Sequence, residues 1–107
     1  MTREKIVITG IGSLAPNGNN VDEFWDACTA GKSGIGPITY FDTSEQRVSI
    51  AGELSNFQPE TVLDQKEIRK LDPFSIYAIV ATDEAINMAN LDSQSINLDR
   101  VGVSVGS

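Results

Sequence analysis

Lys5-Ile6-Val7-Ile8-Thr9-Gly10-Ile11-Gly12-Ser13-Leu14-Ala15-Pro16-Asn17-Gly18-Asn19-Asn20 is the stretch from which the fold is read. Ile6-Val7-Ile8 is apolar and β-branched without alternation, the pattern of a strand covered on both faces. A glycine-punctuated loop follows, and then a helix start. Asn20 is an N-cap residue, and Glu23 three positions later completes a capping box. The glycines admit two readings. Gly10-x-Gly12-x-x-Ala15 has the spacing of a dinucleotide-binding turn, whereas tight turning and close backbone packing need glycine for steric reasons alone.

The neighbouring residues favour packing. In a dinucleotide turn the glycines lead straight into the helix whose N-terminus binds the pyrophosphate. Here Pro16 and Asn17-Gly18-Asn19-Asn20 intervene, and the cap places the helix start near Val21. The ribose contact would need an acidic residue ending a second strand about 20 residues on. The nearest acid, Asp42, sits instead in a Thr39-Tyr40-Phe41-Asp42-Thr43 loop.

Outward from this stretch, Val21, Phe24, Trp25 and Cys28 form one apolar stripe, with Asp22, Glu23 and Asp26 on the wet side. Gly31 ends the helix as its C′ residue. Lys32 to Asp42, with Gly34, Gly36 and Pro37, reads as a loop. Val48, Ile50 and Leu54 repeat with a period of two, which makes Arg47 to Leu54 a strand. Pro59-Glu60 suits a helix start, and a short helix is expected from about Thr61 to Leu71. Asp72 then caps a new helix with Pro73 at its first position. That helix, running to about Asn90, is apolar almost all round in its first half, as expected of one buried on several sides. Val101, Val103 and Val105 alternate with Gly102, Ser104 and Gly106 in a last strand.

Strand, helix, strand, two helices and strand make a layered α/β architecture. A buried parallel-type strand wants a crossover helix after it, and none follows Val105-Gly106-Ser107. The expectation is therefore a truncated chain, residues 1–107 forming part of one domain with no complete second domain. At 107 residues only one modest core is affordable in any case.

Composition narrows the chemistry. A net charge of −7 disfavours nucleic acid and anionic membranes as partners. The apolar runs are too short for a membrane span or a signal-peptide core, which points to the cytoplasm. Histidine is absent, so the commonest general base and metal ligand is missing, and no metal-loop spacing of carboxylates occurs. The single cysteine, Cys28, suits a reducing compartment. In register with Val21 and Trp25 and with no base to activate it, Cys28 reads as a buried structural thiol. No catalytic, cofactor-binding or metal-binding residue is assigned.

One charged feature stands out. Lys66, Arg69 and Lys70 fall at i, i+3 and i+4, placing three of the eight basic side chains on one helix face. Either Asp64 and Glu67 neutralise a solvated helix, or the face answers a negative partner.

Taken in order, these segments resemble the N-terminal quarter of a β-ketoacyl-acyl-carrier-protein synthase, closest to the type II elongating enzymes of fatty acid synthesis. The resemblance rests on Ile6 to Gly12 with Pro16 and Gly18, and on Phe24-Trp25 through Ala30-Gly31-Lys32-Ser33-Gly34-Ile35. It continues through Ile38, Phe41-Asp42, Ala51-Gly52, Lys66 to Asp72 and Tyr77-Ala78, and ends with Arg100-Val101-Gly102 through Gly106-Ser107. It implies the N-terminal portion of a thiolase-like fold, a layered α/β structure with strands covered by helices, in a homodimeric enzyme. It also implies a decarboxylating condensation, in which an acyl group on a cysteine is attacked by the carbanion from malonyl-carrier protein. The cysteine and two histidines of that chemistry lie past Ser107 in the family, and no cofactor is called for. Lys66, Arg69 and Lys70 match basic positions that dock the acidic acyl carrier protein. Two rivals remain: a catalytically inactive chain-length factor or decarboxylating relative, and a small non-enzymatic α/β binding domain.

Overall fold

The computed structural model describes residues 2–92 and 94–106. Helix α1 spans Val21–Thr29 and is fixed at both ends by local chemistry. The Asn20 side chain accepts the Glu23 N–H at 2.8 Å, while the Glu23 carboxylate turns back to the Asn19 N–H at 2.8 Å, one residue before the expected partner. At the other end Gly31 takes φ +69°, open to glycine without strain. There the Gly31 N–H bonds the Cys28 carbonyl and the Lys32 N–H bonds that of Ala27, the paired closure of a Schellman motif.

Strand β1, Ile35–Pro37, lies inside the segment expected to be a loop. It pairs antiparallel with β2, Ile50–Gly52, in the register Ile35 to Gly52 and Pro37 to Ile50. The strand expected over Arg47 to Leu54 is thus confined to its centre. The helix expected from Thr61 is also divided. A 3₁₀ turn at Pro59–Thr61 comes first, and helix α2, Gln65–Lys70, starts only after Asp64. Asp64 wins the start because it supplies a full capping box with Glu67, stronger than anything Thr61 offers.

Helix α3, Pro73–Ala89, begins at Pro73 as expected and ends at Asn90, whose φ of 52° is the left-handed conformation asparagine tolerates. Its small-residue side receives the glycine segment. A Cβ at Gly12 would overlap the Ala81 carbonyl, and one at Gly10 would overlap that of Ala85 and approach Ala89 N at 2.9 Å. The Gly10–Gly12 backbone therefore lies directly on the Ala81–Ala85–Ala89 stripe. Glu84 ties the same region together from α3, its carboxylate accepting the N–H groups of Ser13 and Val21.

Two expected strands do not form among the described residues. Ile6-Val7-Ile8 is unpaired, with Ile6 98% exposed, and Val101 to Val105 is likewise outside any ladder. A strand is defined by its neighbour, and neither segment has one here. Its continuation into Ser107 lies outside the described residues. The apolar α3 is correspondingly open: Ile76 is buried and Phe74 is 66% exposed. The accessible surface is 9205 Å², against roughly 5800 Å² for a compact chain of this mass. The layers are laid out, but their inner faces are not closed by the described residues.

Candidate functional site

The basic face of α2 is built by its own cap. The Asp64 carboxylate accepts the Glu67 N–H at 2.8 Å, and Glu67 accepts the Asp64 N–H at 3.2 Å. Both acids are thereby folded onto the helix start. Lys66, Arg69 and Lys70 are all exposed, while Ile68 on the opposite side is half-buried. Arg69 and Lys70 also occupy the last turn, where positive charge complements the helix dipole. The three cations expected to act together do share one solvent-facing surface, and the acids expected to neutralise them are engaged in capping.

Leu71 and Asp72 turn the chain from α2 directly into α3, and an apolar groove opens at that junction. Leu71, Phe74, Ser75, Ala78, Ile79, Val105 and Gly106 line about 690 Å³. Charge and apolar surface therefore meet at Leu71. On the neighbouring side of α3, Tyr77 packs edge-on against Phe57, ring centres 5.4 Å apart. Burial raises the Tyr77 hydroxyl above its ordinary pKa, and the Tyr40 phenol beside it adds to the effect.

The structure corrects the reading of Cys28. It is exposed, not buried, and so is Trp25. The buried face of α1 is rotated round the helix to Ala27, with Phe24 beside it, which leaves the Trp25–Cys28 side outward. The Cys28 Sγ faces the Asn17 side-chain amide at 3.8 Å. Among the described residues no three of His, Cys, Asp and Glu gather as a metal site, and no helix is long and apolar enough to cross a membrane.

Two carboxylates that organise the region were not singled out from sequence. Glu84 lies beside Asp83 in an otherwise apolar helix, and the sequence does not say which of the two acids turns inward. Glu53 accepts the Thr39 N–H at 2.9 Å, the Thr39 hydroxyl at 2.7 Å and the Tyr40 N–H at 3.4 Å. The Thr39 side-chain and backbone bonds hold its carboxyl below the ordinary glutamate value.

Comparison with known proteins places this geometry. Residues 3–107 match the model of the beta-ketoacyl synthase N-terminal domain. The chain is 46% identical over 104 residues to 3-oxoacyl-[acyl-carrier-protein] synthase 2 of Staphylococcus aureus, covering 97% of this chain and 25% of that protein. The protein of the same name from Coxiella burnetii is 44% identical over 107 residues, with coverage of 100% and 26%. That from Synechocystis sp. is 38% identical over 106 residues, with coverage of 99% and 26%. Among solved structures, the ishigamide ketosynthase/chain length factor superposes with a TM-score of 0.75 at 30% identity, over 84% of this chain and 22% of that one. The chain thus spans about a quarter of the length of the curated relatives it matches. The fold is the N-terminal portion of the thiolase-like architecture.

Proposed function

The chain belongs to the β-ketoacyl synthase family, and from that premise we propose that it is the N-terminal part of a 3-oxoacyl-carrier-protein synthase of fatty acid elongation. The whole protein joins an acyl thioester to malonyl-carrier protein with release of carbon dioxide. It works in the cytoplasm as a homodimer. This segment supplies framework and a docking surface, and the reacting cysteine and histidines come from elsewhere in the protein. The observation that carries the reading is the family match across residues 3–107, reinforced by relatives up to 47% identical that bear the synthase name.

Within this reading, α2 docks the acyl carrier protein. Its three exposed cations outnumber the two capping acids, on a chain of net charge −7. Such a patch steers an acidic partner through long-range attraction and fixes its orientation on arrival. The surface of 9205 Å² supports a segment whose core is completed by further chain, and weighs against a self-contained binding domain.

A second reading is kept by the resemblance to the ishigamide ketosynthase/chain length factor. One assay separates them. The full-length protein is supplied with acyl-carrier and malonyl-carrier proteins, and the products are resolved by mass spectrometry. A 3-oxoacyl-carrier product supports the condensing enzyme. Acetyl-carrier protein without condensation indicates a decarboxylating relative, and no conversion indicates a chain-length factor or a non-enzymatic module.

A further inference from the structure

Asn17-Gly18 is the only Asn-Gly pair in the chain, and the structure holds both its attacking backbone nitrogen and its leaving side-chain nitrogen in hydrogen bonds. Asparagine followed by glycine is the dipeptide most prone to cyclise, because no side chain on the second residue hinders attack by its backbone nitrogen. Here the pair sits in a tight turn. The Gly18 N–H donates to the Ala15 carbonyl at 3.0 Å, and the Ala15 N–H returns a bond to Gly18 O at 2.9 Å. Pro16 at the second position presets the turn. The Asn17 side-chain amide donates to the Lys32 carbonyl at 3.2 Å. Gly34 closes the other side, since a Cβ there would come within 2.6 Å of Asn17 N.

We infer that Asn17 is a deamidation site gated by the fold, silent while the Ala15–Gly18 turn is clamped to the end of α1 and reactive when it opens. In the reaction the Gly18 backbone nitrogen gives its proton to a water base and attacks Asn17 Cγ. The Cγ–Nδ2 bond breaks and ammonia leaves with a proton taken from solvent. Water then opens the cyclic imide at either carbonyl, yielding aspartate or isoaspartate. No oxidant, reductant or further co-reactant is needed.

Closure of the clamp blocks this in two ways. The amide nitrogen is committed to Ala15, and the side-chain amide is held toward Lys32, not over its own backbone. Reaction therefore proceeds through local opening, and its rate reports the population of the open turn. Conversion is self-reinforcing. An aspartate at this position loses the donor to Lys32 O and sets a carboxylate against a carbonyl oxygen, so the clamp does not reform. The inference is independent of the catalytic reading above.

The test follows Asn17 by peptide mass spectrometry in the full-length protein at mildly alkaline pH, native and in concentrated urea. Conversion in urea should exceed native conversion by at least roughly tenfold, which corresponds to an opening free energy of about 1.4 kcal/mol. Gly31→Ala is the second arm. Gly31 has open space round it but φ +69°, so alanine strains the α1 terminus that presents Lys32 O without creating a clash. It should raise the native rate and leave the urea rate unchanged. Equal rates in the native protein and in urea overturn the proposal. So does an Asn17 that stays intact in urea, or a folded Gly31→Ala variant with unchanged native protection. If Gly31→Ala fails to fold, the ratio of rates in the unmutated protein decides alone.

Discussion

Glu84, in the third helix, accepts the N–H of Val21, the first residue of the first helix, at 3.0 Å. Its other oxygen takes the Ser13 N–H at 2.9 Å. One side chain thereby satisfies an orphan donor at a helix start and anchors the glycine segment to α3. Glu84→Ala leaves two part-buried donors unpaired, and a loss of about 2 kcal/mol in urea unfolding of the full-length protein is expected. Glu84→Gln keeps one acceptor but turns an amide donor toward the second N–H, so its loss should be smaller. Equal stability of both variants and the parent would refute the anchoring role.

The contact between Gly12 and Ala81 makes a steric prediction. A methyl group at Gly12 overlaps the Ala81 carbonyl, whereas one at Gly36 meets nothing within 4 Å. Gly12→Ala should cost about 2 kcal/mol or more through overpacking, and Gly36→Ala should stay within about 0.5 kcal/mol of the parent. Thermal melts of the two variants side by side give the comparison.

Glu53 predicts an acid-side effect. Its folded pKa lies below the ordinary value of 4.5, chiefly through Thr39. A depressed carboxyl stabilises the fold above that ordinary value, and the contribution is lost as pH falls through the lowered one. Because solvent still screens the carboxylate, the effect is small. Glu53→Gln should be slightly less stable at neutral pH and show a flatter loss of melting temperature on acidification. A variant whose acid profile superimposes on the parent's excludes the contribution.

Tyr77 predicts the opposite limb. Its pKa is raised above 10.0 by burial and by Tyr40. The unfolded chain therefore ionises first, and stability held below 10.0 declines as pH rises toward the folded value. Tyr77→Phe keeps the edge-on contact with Phe57 and removes the titration. Alkaline melts should show a shallower decline for the variant.

What was legible in the sequence was the chemistry that acts within a few residues. Asn20, Gly31, Asp72-Pro73 and Asn90 marked helix ends, and the structure places α1 and α3 there. Pairing between distant segments was less visible. Strand β1 lies in a Gly-Pro stretch whose only strand signal is its partner Ile50–Gly52, far along the chain. Ile6-Val7-Ile8 carries a strong strand composition yet has no ladder among the described residues. Cys28 was misplaced because a stripe of apolar residues does not say which edge of it faces inward. The Asn19 N–H makes the bond to Glu23 that the spacing predicts for Asn20. The basic face of α2 was readable because its three residues share one short helix, and the capping role of Asp64 and Glu67 needed only local spacing.

Carrier docking on α2 is tested most directly by the affinity of the full-length protein for acyl carrier protein, titrated calorimetrically at low and high salt. Lys66→Glu with Arg69→Glu should weaken binding by roughly tenfold or more at low ionic strength, with the gap narrowing as salt screens the charges. A double variant that binds carrier protein with unchanged affinity at low salt would contradict the docking role.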